Sequence, residues 1–545
     1  MPEYLSPGVY IEEISSGPVP IQGVSTTTTG FVGQTLRGPE RAQLVTSWLD
    51  FQRWYGGYTD PNKNQGYLPY AVKGFFDNGG QRAFIARVPV DGSPAGTASL
   101  PADAAKLTAT AIGRGGWANS VVLKVGSASQ ASPDRPWIAL SVFYYERGIP
   151  TNGGTFLDPD LAENLMKPGF AAPTLSERYD NLGSDPEAPN YFATRVNPAS
   201  RLISLAATDP ADGQTLASWF AAVAADPKTT ITVVMKAAAA AAGFDPFAKD
   251  SYVGTGDDNT LPEDRTALAA LACVAEIAML CVPDLKSVPG IENDLIQQCE
   301  SLRSRVAILD NGPAGSPETL RPPMDSSFGA YYFPWITVID PRTNAPIDIP
   351  PAGHIIGMIA RTDINRGVWK APANETLSGP LTQNTAGKAP LTYRVSDGVQ
   401  AVLNPRGVNC LRDFRDAGRG VRVWGARTMS SDGQWRYLNV RRLFIYVEQS
   451  IFYGTQWVVF EPNDPYTWNR VVSSVSAFLY GLWHSGGLMG ATPAEAYQVV
   501  CDSSTMSQDD IDNGRLICMV AIAPVKPAEF VIFRISQKTA DASQM

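Results

Sequence analysis

The most regular hydrophobic pattern of the chain lies in its C-terminal third, between Trp435 and Trp483. Apolar and aromatic side chains recur there at the spacing of one helical face, at Tyr437, Val440, Phe444, Val447 and Ile451. Gly454 follows this face, where a glycine in the left-handed conformation commonly ends a helix. The pattern therefore predicts an amphipathic helix that stops at Gly454.

A second helix is predicted after a short break. Asn463 or Asp464 can cap its N-terminus, and Pro465 suits its first turn, where no backbone donor is needed. An apolar stripe follows at Trp468, Val471, Val472, Val475, Phe478, Leu479 and Leu482. The break itself, 456–460, has a strand-like composition. We therefore interpret 435–483 as a rigid helix–strand–helix body that carries no catalytic groups.

Two other regions alternate helices with short apolar strands, which is typical of an α/β protein. In the first, β-rich residues 24–33 precede a helix that Thr46 or Ser47 caps, and a helix over 68–76 precedes a strand over 83–88. In the second region, the predicted helices are 267–277 and 291–303, and the predicted strands are 278–282, 306–309, 331–339 and 355–360. Wholly apolar strands favour a largely parallel sheet that is covered on both faces.

The stretch between these regions, 91–250, has a different composition. It is rich in Pro, Gly, Ser, Ala and Asp, and turn signals interrupt short strands at 121–125 and 137–145. The Ala-rich run 237–242 fits either a helix or a low-complexity loop. We interpret 91–250 as an inserted, β-rich domain that faces outward, because insertions are tolerated on protein surfaces.

A tethered strand is predicted near each end of the chain. Residues 9–14 precede the Pro- and Gly-containing segment 15–20, and a strand over 529–537 follows another over 515–525. A strand must pair its backbone groups with some sheet, and a tether lets that sheet belong to a neighbouring copy. The predicted inter-subunit strand residues are Val9, Tyr10, Ile11, Glu12, Phe530, Val531, Ile532 and Phe533. The predicted tether or hinge residues are Gly17, Pro18, Pro20, Pro524 and Pro527.

Length and composition narrow the class of protein further. A chain of 545 residues is expected to form about two to four domains, and 44% hydrophobic with 18% charged residues describes a globular protein. The net charge of −9 argues against nucleic acid as the main partner. The six cysteines lack zinc-type spacing and are expected to be reduced thiols of a protein made in the cytosol. No secretion signal and no membrane span are predicted.

No catalytic, cofactor or metal site is predicted. The two histidines, His354 and His484, lack the exposed serine that a catalytic triad needs, so we expect a structural, hydrogen-bonded His354 and a helix-capping His484. Gly387-Lys388 lacks the rest of a phosphate loop, and 254–259 lacks the ligand spacing of a calcium loop. A hydrolase that uses His354 is the enzymatic alternative.

Arginine is concentrated in one part of the chain. The densest set is Arg412, Arg415, Arg419, Arg422, Arg427, Arg436, Arg441 and Arg442. These residues either form a solvated, ion-paired surface or an electrostatic interface with an acidic partner. Arg427, Arg436, Arg441 and Arg442 are the candidates for such an interface.

Several long motifs, in a fixed order, resemble those of contractile tail sheath proteins from phages and related injection particles. They are SPGVYIEE at 6–13, KAPANE at 370–375, LNPRGVNC at 403–410, VWGART at 423–428, WRYLNVRR at 435–442, VFEPND at 459–464 and APVKPAEF at 523–530. The resemblance covers about 1–88 and 250–537 and is weak over 91–250. Phage tails, tailocins and extracellular injection systems share these motifs, whereas type VI sheaths, which are split into two chains, fit poorly.

The resemblance implies a subtilisin-like α/β domain without protease activity and a structural role. Subunits of this family stack as hexameric rings around an inner tube, joined by terminal arms that add as strands to neighbouring sheets. The sheath contracts without consuming nucleotide and drives the tube through a target envelope; baseplate and terminal cap proteins are further implied partners. It would be made in the cytoplasm and become part of a virion-like particle, released by lysis. A non-contractile shell or surface-layer protein is the structural alternative.

These inferences give a domain plan. Residues 1–22 form an N-terminal arm and tether, and 23–90 with 251–400 form the core α/β region. Residues 91–250 form the inserted domain, 401–525 the C-terminal sheath domain and 526–545 the C-terminal arm. The body 435–483 is expected to form the inner layer, against the tube and neighbouring subunits.

Overall fold

A computed structural model of the chain describes residues 20–101, 106–208, 216–228, 230–240, 242–257, 259–310, 312 and 316–532. Two structural units are distinguished. The major unit contains Thr26–Ile364 and Pro372–Arg436, and the minor unit contains Asn365–Ala371 together with the described parts of Met1–Ser25 and Tyr437–Met545. No described helix combines the length and the hydropathy that crossing a bilayer requires.

The major unit holds twenty described strands. They are β1 (Thr29–Thr35), β2 (Gln43–Val45), β3 (Ala83–Pro89), β4 (Thr97–Leu100), β5 (Leu107–Ala111), β6 (Val121–Ser127), β7 (Ile138–Tyr144), β8 (Thr151–Asn152), β9 (Thr155–Phe156), β10 (Leu175–Leu182), β11 (Ile203–Ala207), β12 (Ile231–Val234), β13 (Met279–Cys281), β14 (Val306–Asp310), β15 (Gly329–Phe333), β16 (Ile336–Ile339), β17 (Pro346–Ile349), β18 (Glu375–Thr376), β19 (Val408–Asp413) and β20 (Val421–Trp424). The helices that begin in this unit are α1 (Trp48–Tyr55), α2 (Leu68–Asp77), α3 (Phe192–Val196), α4 (Leu216–Ala225), α5 (Lys249–Val253), α6 (Ala267–Ala272), α7 (Ile291–Leu302), α8 (Ala352–Arg366) and α9 (Asp397–Leu403).

A nine-stranded sheet in the order β18-β20-β19-β15-β14-β13-β1-β3-β2 forms the centre of the major unit. The pairings from β19 through to β3 are parallel, and antiparallel strands lie at both edges. Alternate residues of β1 face opposite layers: Val32 packs with residues of α6 and α7, and Phe31 contacts Phe75 of α2. The predicted mixed α/β fold with a largely parallel, doubly covered sheet is thus confirmed.

Three local predictions in this region are wrong. Residues 355–360 belong to α8 and not to a strand, because a helix buried on most of its circumference shows the same unbroken apolar run. The predicted strand 331–339 is two strands that meet at Pro334, which has no N–H for a ladder. The helix predicted over 267–277 ends at Ala272.

Residues 91–250 contribute separate sheets with their own hydrophobic core. A four-stranded antiparallel sheet has the order β10-β7-β6-β12, and a three-stranded sheet has the order β11-β5-β4. Both predicted strands are present, as β6 and β7, and the described part of the Ala-rich run has no helix. Charged contacts tie these sheets to the rest of the unit: Arg114 pairs with Glu40 at 2.6 Å, and Arg201 pairs with Asp50 at 3.4 Å.

The minor unit is built on two long helices. Its described elements are α10 (Leu438–Gly454), α11 (Pro465–His484), α12 (Pro493–Ala496), β21 (Tyr497–Val500), α13 (Gln508–Asp512) and β22 (Met519–Ile522). Asp464 caps α11 through the Thr467 amide at 2.9 Å, and Pro465 is its first residue, as predicted. His484 is the last residue of α11, where it stacks on Tyr480.

Two predictions for the long helices are wrong. Gly454 is the last residue of α10 and has no left-handed conformation. The strand predicted over 456–460 is a 3₁₀ turn, Gln456–Val458, followed by irregular chain. Its hydrogen bonds are local, from Val458 N to Thr455 O and from Glu461 N to Val458 O, so it uses no partner strand.

Candidate functional site

The C-terminal end of α10 holds the chain that emerges from the N-terminal segment. The Val24 amide donates to Ser450 Oγ at 3.1 Å, and that hydroxyl donates to Tyr446 O at 2.6 Å. Ile21 packs into the core of the minor unit. A Cβ added to Gly454 would lie 2.7 Å from Ile21, so only glycine leaves room for this contact. Close packing, and not helix termination, explains the glycine.

The N-terminal end of α10 holds the chain that leads to the C-terminal segment. Asn439 is buried, and its Nδ2 donates to Trp369 O at 2.9 Å and to Val525 O at 3.1 Å. Two residues earlier, Tyr437 Oη donates to Glu529 Oε2 at 3.3 Å. These bonds attach 525–529 to the start of α10.

One helix, α10, therefore anchors both terminal segments. We call the anchored residues, 21–24 and 525–529, the roots of these segments. α10 has 17 residues and a length of about 25 Å at 1.5 Å per residue. A hydrogen-bonded helix keeps its length under load, whereas the irregular chain at either end can rotate about its backbone dihedrals. The anchor points are consequently held at a fixed separation.

A two-stranded sheet, β21-β22, precedes the C-terminal root. Tyr497 pairs with Ile522 and Val500 with Met519, and no third described strand joins either edge. β22 is unusually open for an apolar strand, with Met519 62% and Val520 37% exposed. Two-stranded sheets are marginal in water, and unpaired edges are ready to accept another strand.

The segment after β22 is also apolar and open. Phe530, Val531 and Ile532 are 73%, 69% and 78% exposed, and they belong to no described strand. The strand predicted over 529–537 therefore does not form within the described part of this single chain. The strand predicted over 515–525 is shorter, since β22 covers only Met519–Ile522.

Most of the other predicted arm and tether residues lie outside the described residues. These are Val9, Tyr10, Ile11, Glu12, Gly17, Pro18 and Phe533. Pro20 is exposed, Pro524 forms a bridge with Leu488, and Pro527 is half-buried.

The candidate basic residues are mostly inside the fold. Arg427, Arg441 and Arg442 are only 8%, 7% and 4% exposed, and Arg427 Nη1 donates to Asn404 O at 3.0 Å. Arg436 alone of the four is exposed in the single chain. Three of the four therefore do not form an exposed basic surface in this conformation.

Sequence reasoning missed the two buried asparagines of the motifs. Asn409, in LNPRGVNC, donates through Nδ2 to Arg427 O at 2.8 Å and to Tyr331 O at 3.3 Å, and it accepts from the Arg427 amide at 2.7 Å. It joins three consecutive segments of the central sheet, as Asn439 joins three segments of the minor unit. The available signal was a polar amide inside an otherwise apolar stretch, which must find partners when buried.

His354 is buried, and its Nδ1 has no hydrogen-bond partner among the described residues. The expectation that it is hydrogen-bonded is thus wrong at that atom. Burial lowers the pKa of His354 to about 4, so the ring is neutral at pH 7. Gly74 and Gly379 lie against the ring. The upstream Asp310 and Asp340 hydrogen-bond to other residues, so the described residues do not assemble a triad around it.

Two buried carboxylates lie at the carboxyl ends of the neighbouring strands β13 and β14: Asp284 follows β13, and Asp310 is the last residue of β14. Asp284 accepts from the Tyr67 amide at 2.6 Å and from Tyr252 Oη at 2.7 Å, and Asp310 accepts from Trp335 Nε1 at 2.6 Å. Burial raises the pKa of Asp284 to about 6 and that of Asp310 to about 7. No group of three or more metal-ligating side chains occurs in the described ranges. These carboxylates act as buried structural acceptors.

These features define a structural class of protein. It has an α/β core, a long helix, α10, that anchors two terminal segments, and a small open sheet, β21-β22. Models of the phage tail sheath protein central domain and of the phage tail sheath C-terminal domain match residues 266–429 and 430–538, together half of the chain. The chain belongs to the phage tail sheath protein family.

Individual relatives agree with this assignment. A prophage major tail sheath protein of Pseudomonas aeruginosa strain UCBPP-PA14 is 26% identical over 281 residues, which are 50% of this chain and 69% of the relative. The tail sheath protein of Burkholderia phage BcepMu is 30% identical over 193 residues, 34% of this chain and 38% of that protein. The second alignment therefore spans well under half of its relative.

Solved structures share the fold over nearly the whole chain. A chain of the anti-feeding prophage baseplate has a TM-score of 0.55 at 23% identity, covering 98% of this chain and 100% of the other. A chain of the sheath complex of the extracellular contractile injection system PVC, in its contracted state, has a TM-score of 0.52 at 22% identity and covers 99% of both chains.

Proposed function

We propose that this protein is the repeating subunit of a contractile sheath, in which copies stack as hexameric rings around an inner tube. The observation that carries the proposal is that the minor unit contains both an open apolar sheet, β21-β22, and an exposed apolar segment, Phe530–Ile532. No described strand covers the edges of the sheet, and the segment belongs to no described strand. The segment of one copy can therefore pair with the sheet of another. Membership of the tail sheath family supports an exchange of this kind between copies of the chain.

The strand-accepting surface is β21-β22. A two-stranded sheet gains stability when further strands pair with its edges, because each added strand satisfies backbone groups and covers apolar side chains. Met519 and Val520 provide such apolar surface. β-augmentation then supplies affinity from the main chain and specificity from alternate side chains.

The strand-donating segments are 9–14 and 529–537. The described start of the second, Phe530–Ile532, exposes three large apolar side chains in a row. A strand of about six residues spans about 20 Å, enough to cross between adjacent subunits. The N-terminal donor follows from its sequence pattern and from the anchoring of Ile21 and Val24 that comes after it.

Helix α10 and the tethers have different roles during contraction. α10 keeps the two roots at a fixed separation, while 15–20 and the chain that follows Glu529 rotate as hinges and the exchanged strands stay paired. Neighbouring subunits can then change their spacing without separating. Contraction needs no nucleotide, since the extended sheath stores the energy as a metastable state.

Several further features belong to this proposal. The subunit is non-enzymatic, and its α/β region is the subtilisin-like domain that the family implies. Its partners are further copies, an inner tube protein that 435–483 faces, and baseplate and cap proteins. Residues 91–250 form the outer layer. The protein is made in the cytoplasm and functions in a phage tail, a tailocin or an extracellular injection particle.

The test is direct imaging of assemblies. The chain is co-expressed with its tube and baseplate genes, and particles are examined by negative-stain microscopy. Wild-type particles should include both long narrow and short wide sheaths. The double variant Val531→Asp with Phe533→Asp should give folded protein without sheaths, because a charged strand cannot enter an apolar sheet.

The matched control is Met166→Asp, which also places a carboxylate at an exposed apolar side chain, here 91% exposed within 91–250. It should assemble normally. Normal sheaths from the double variant would refute the donor segment. Assemblies of one fixed width would instead favour a passive shell protein over a contractile sheath.

A further inference from the structure

A pair of cysteines lies at the open end of the β21-β22 ladder. The antiparallel register pairs Val499 with Val520 and Val500 with Met519. Continued by one residue, the same register places Cys501 opposite Cys518. Directly opposite residues of an antiparallel pair have Cα atoms about 4.5–5.5 Å apart, which falls within the range that a disulfide spans.

The side chains themselves meet. Cys501 is buried and Cys518 is partly exposed, and both pack with Trp468 and Met506 in one small cluster. Each thiol contributes to the pKa of the other, as two neighbouring side chains do. The other cysteines differ: Cys281, Cys299 and Cys410 are buried in the major unit, and Cys273 is exposed.

The geometry points to Cys501 and Cys518 as a redox modification site, at which a small disulfide oxidant such as oxidised glutathione converts the two thiols into an intramolecular disulfide. This inference concerns the covalent chemistry of the single chain and does not depend on the proposed function.

The reaction proceeds by two exchanges. The partly exposed Cys518 loses its proton to water, and its thiolate attacks one sulfur of oxidised glutathione. A Cys518–glutathione disulfide forms, and one glutathione thiolate leaves. The Cys501 thiolate then attacks the Cys518 sulfur and displaces the second glutathione. Two protein thiols are oxidised by two electrons, and one oxidised glutathione is reduced to two thiols.

The surroundings set the rate of this reaction. Burial raises the pKa of Cys501 to about 12, and burial also raises the pKa of Cys518. Thiolate is therefore scarce at neutral pH, and the rate of linking should rise about tenfold for each pH unit below these pKa values. Slow but selective oxidation is expected.

Linking the two residues would affect the strand from which the C-terminal root departs. β22 begins immediately after Cys518 and continues into Ala523 and Pro524. The disulfide closes a loop that contains α13 and ties the ends of β21 and β22 together. Opening of this sheet should become rarer, which slows hydrogen exchange of its amides.

The experiment is peptide mapping of the full-length protein. Native protein is incubated with oxidised glutathione at pH 7.0, 8.0 and 9.0, blocked with N-ethylmaleimide and digested without reductant. We expect a monomer in which the peptides of Cys501 and Cys518 are linked, with linkage faster at each higher pH. The same treatment in 6 M urea should scatter the disulfides over all six cysteines.

Two variants serve as controls. Cys501→Ser should stop the reaction at the Cys518–glutathione disulfide, and Cys281→Ser should leave the Cys501–Cys518 link unchanged. Wild-type protein that accumulates the Cys518–glutathione adduct without closing the link would overturn the inference. Oxidation confined to the exposed Cys273, with dimers as the product, would overturn it as well.

Discussion

The main sheets of the two units differ in how far their backbone groups are paired and their apolar side chains are buried. The nine-stranded sheet of the major unit buries its parallel interior on both faces, and its edge strands β2 and β18 have only three and two residues. In the two-stranded sheet of the minor unit, no other described strand pairs with either edge, and apolar side chains are exposed. Very short edge strands limit pairing with other chains, whereas open apolar edges invite it. The central sheet of the major unit therefore has little capacity to accept a further strand, whereas the sheet of the minor unit is suited to pair with another chain.

The largest expected effect separates these two roles. Val520→Lys, on β22 at 37% exposure, should abolish sheath assembly, since a charge there opposes strand addition. Ile339→Lys, on β16 of the major unit at 38% exposure, should assemble normally. Negative-stain microscopy with thermal unfolding of both proteins checks the outcome. Loss of assembly by both variants would remove the proposed distinction between the two units.

A smaller effect is expected where α10 holds the C-terminal root. Asn439→Ala removes two hydrogen bonds and leaves the carbonyls of Trp369 and Val525 unpaired, at a cost of about 2 kcal/mol. The buried Asn439 Oδ1 has no hydrogen-bond partner in the part of the chain that the structure describes, so the substitution breaks no bond at that atom. Hydrogen exchange should quicken over 523–529 and stay constant in the central sheet. Unchanged exchange over 523–529 would contradict the anchoring role.

The two helical glycines of the minor unit allow a matched comparison. Gly454→Ala forces a Cβ against Ile21 and should destabilise the unit by about 1 kcal/mol despite the better helix propensity of alanine. Gly481→Ala, in α11, meets no atom within 4 Å and should stabilise by about 0.5–1 kcal/mol. Denaturant unfolding measures both changes. Equal signs for the two variants would show that Ile21 does not pack there.

A fourth expected effect concerns the pH dependence of the major unit. The folded pKa of Asp310, about 7, exceeds its unfolded value near 3.9, so the native state binds a proton more readily between these pH values. Stability from this group is therefore greatest below about pH 4 and is lost as pH rises through 7. Asp310→Asn should flatten this part of the curve when unfolding is followed from pH 5 to 8. A steeper curve in the variant would reverse the assignment.

The motifs show how far single residues can be interpreted without the fold. Asp464 and Pro465 were correctly placed at the start of α11, because capping depends on atoms within four residues of each other. The apolar run 355–360 predicts a strand but belongs to α8, because a short apolar run fits a buried strand and a buried helix equally well. The strand-like 456–460 failed for the opposite reason: its composition favours strands, but no partner strand is present among the described residues.

The candidate site also combines features that the linear sequence predicts with features that depend on contacts between distant residues. The apolar terminal segments and their tethers were visible as patterns, and the exposure of Phe530–Ile532 agrees with a segment that lacks a partner in one chain. The anchors were not visible, because Asn439 meets Val525 across 86 residues and Val24 meets Ser450 across 426. Arg441 and Arg442, which resemble surface residues by type, are buried.

By itself, the sequence determined the alternation of helices and strands, the caps, the apolar segments near both ends and the family, because each depends on local or linear order. Only the tertiary structure decided which glycine is needed for packing, which arginines are buried and which helix joins the two roots. Those properties depend on contacts between residues far apart in the chain, and a linear pattern of polar and apolar positions does not specify such contacts.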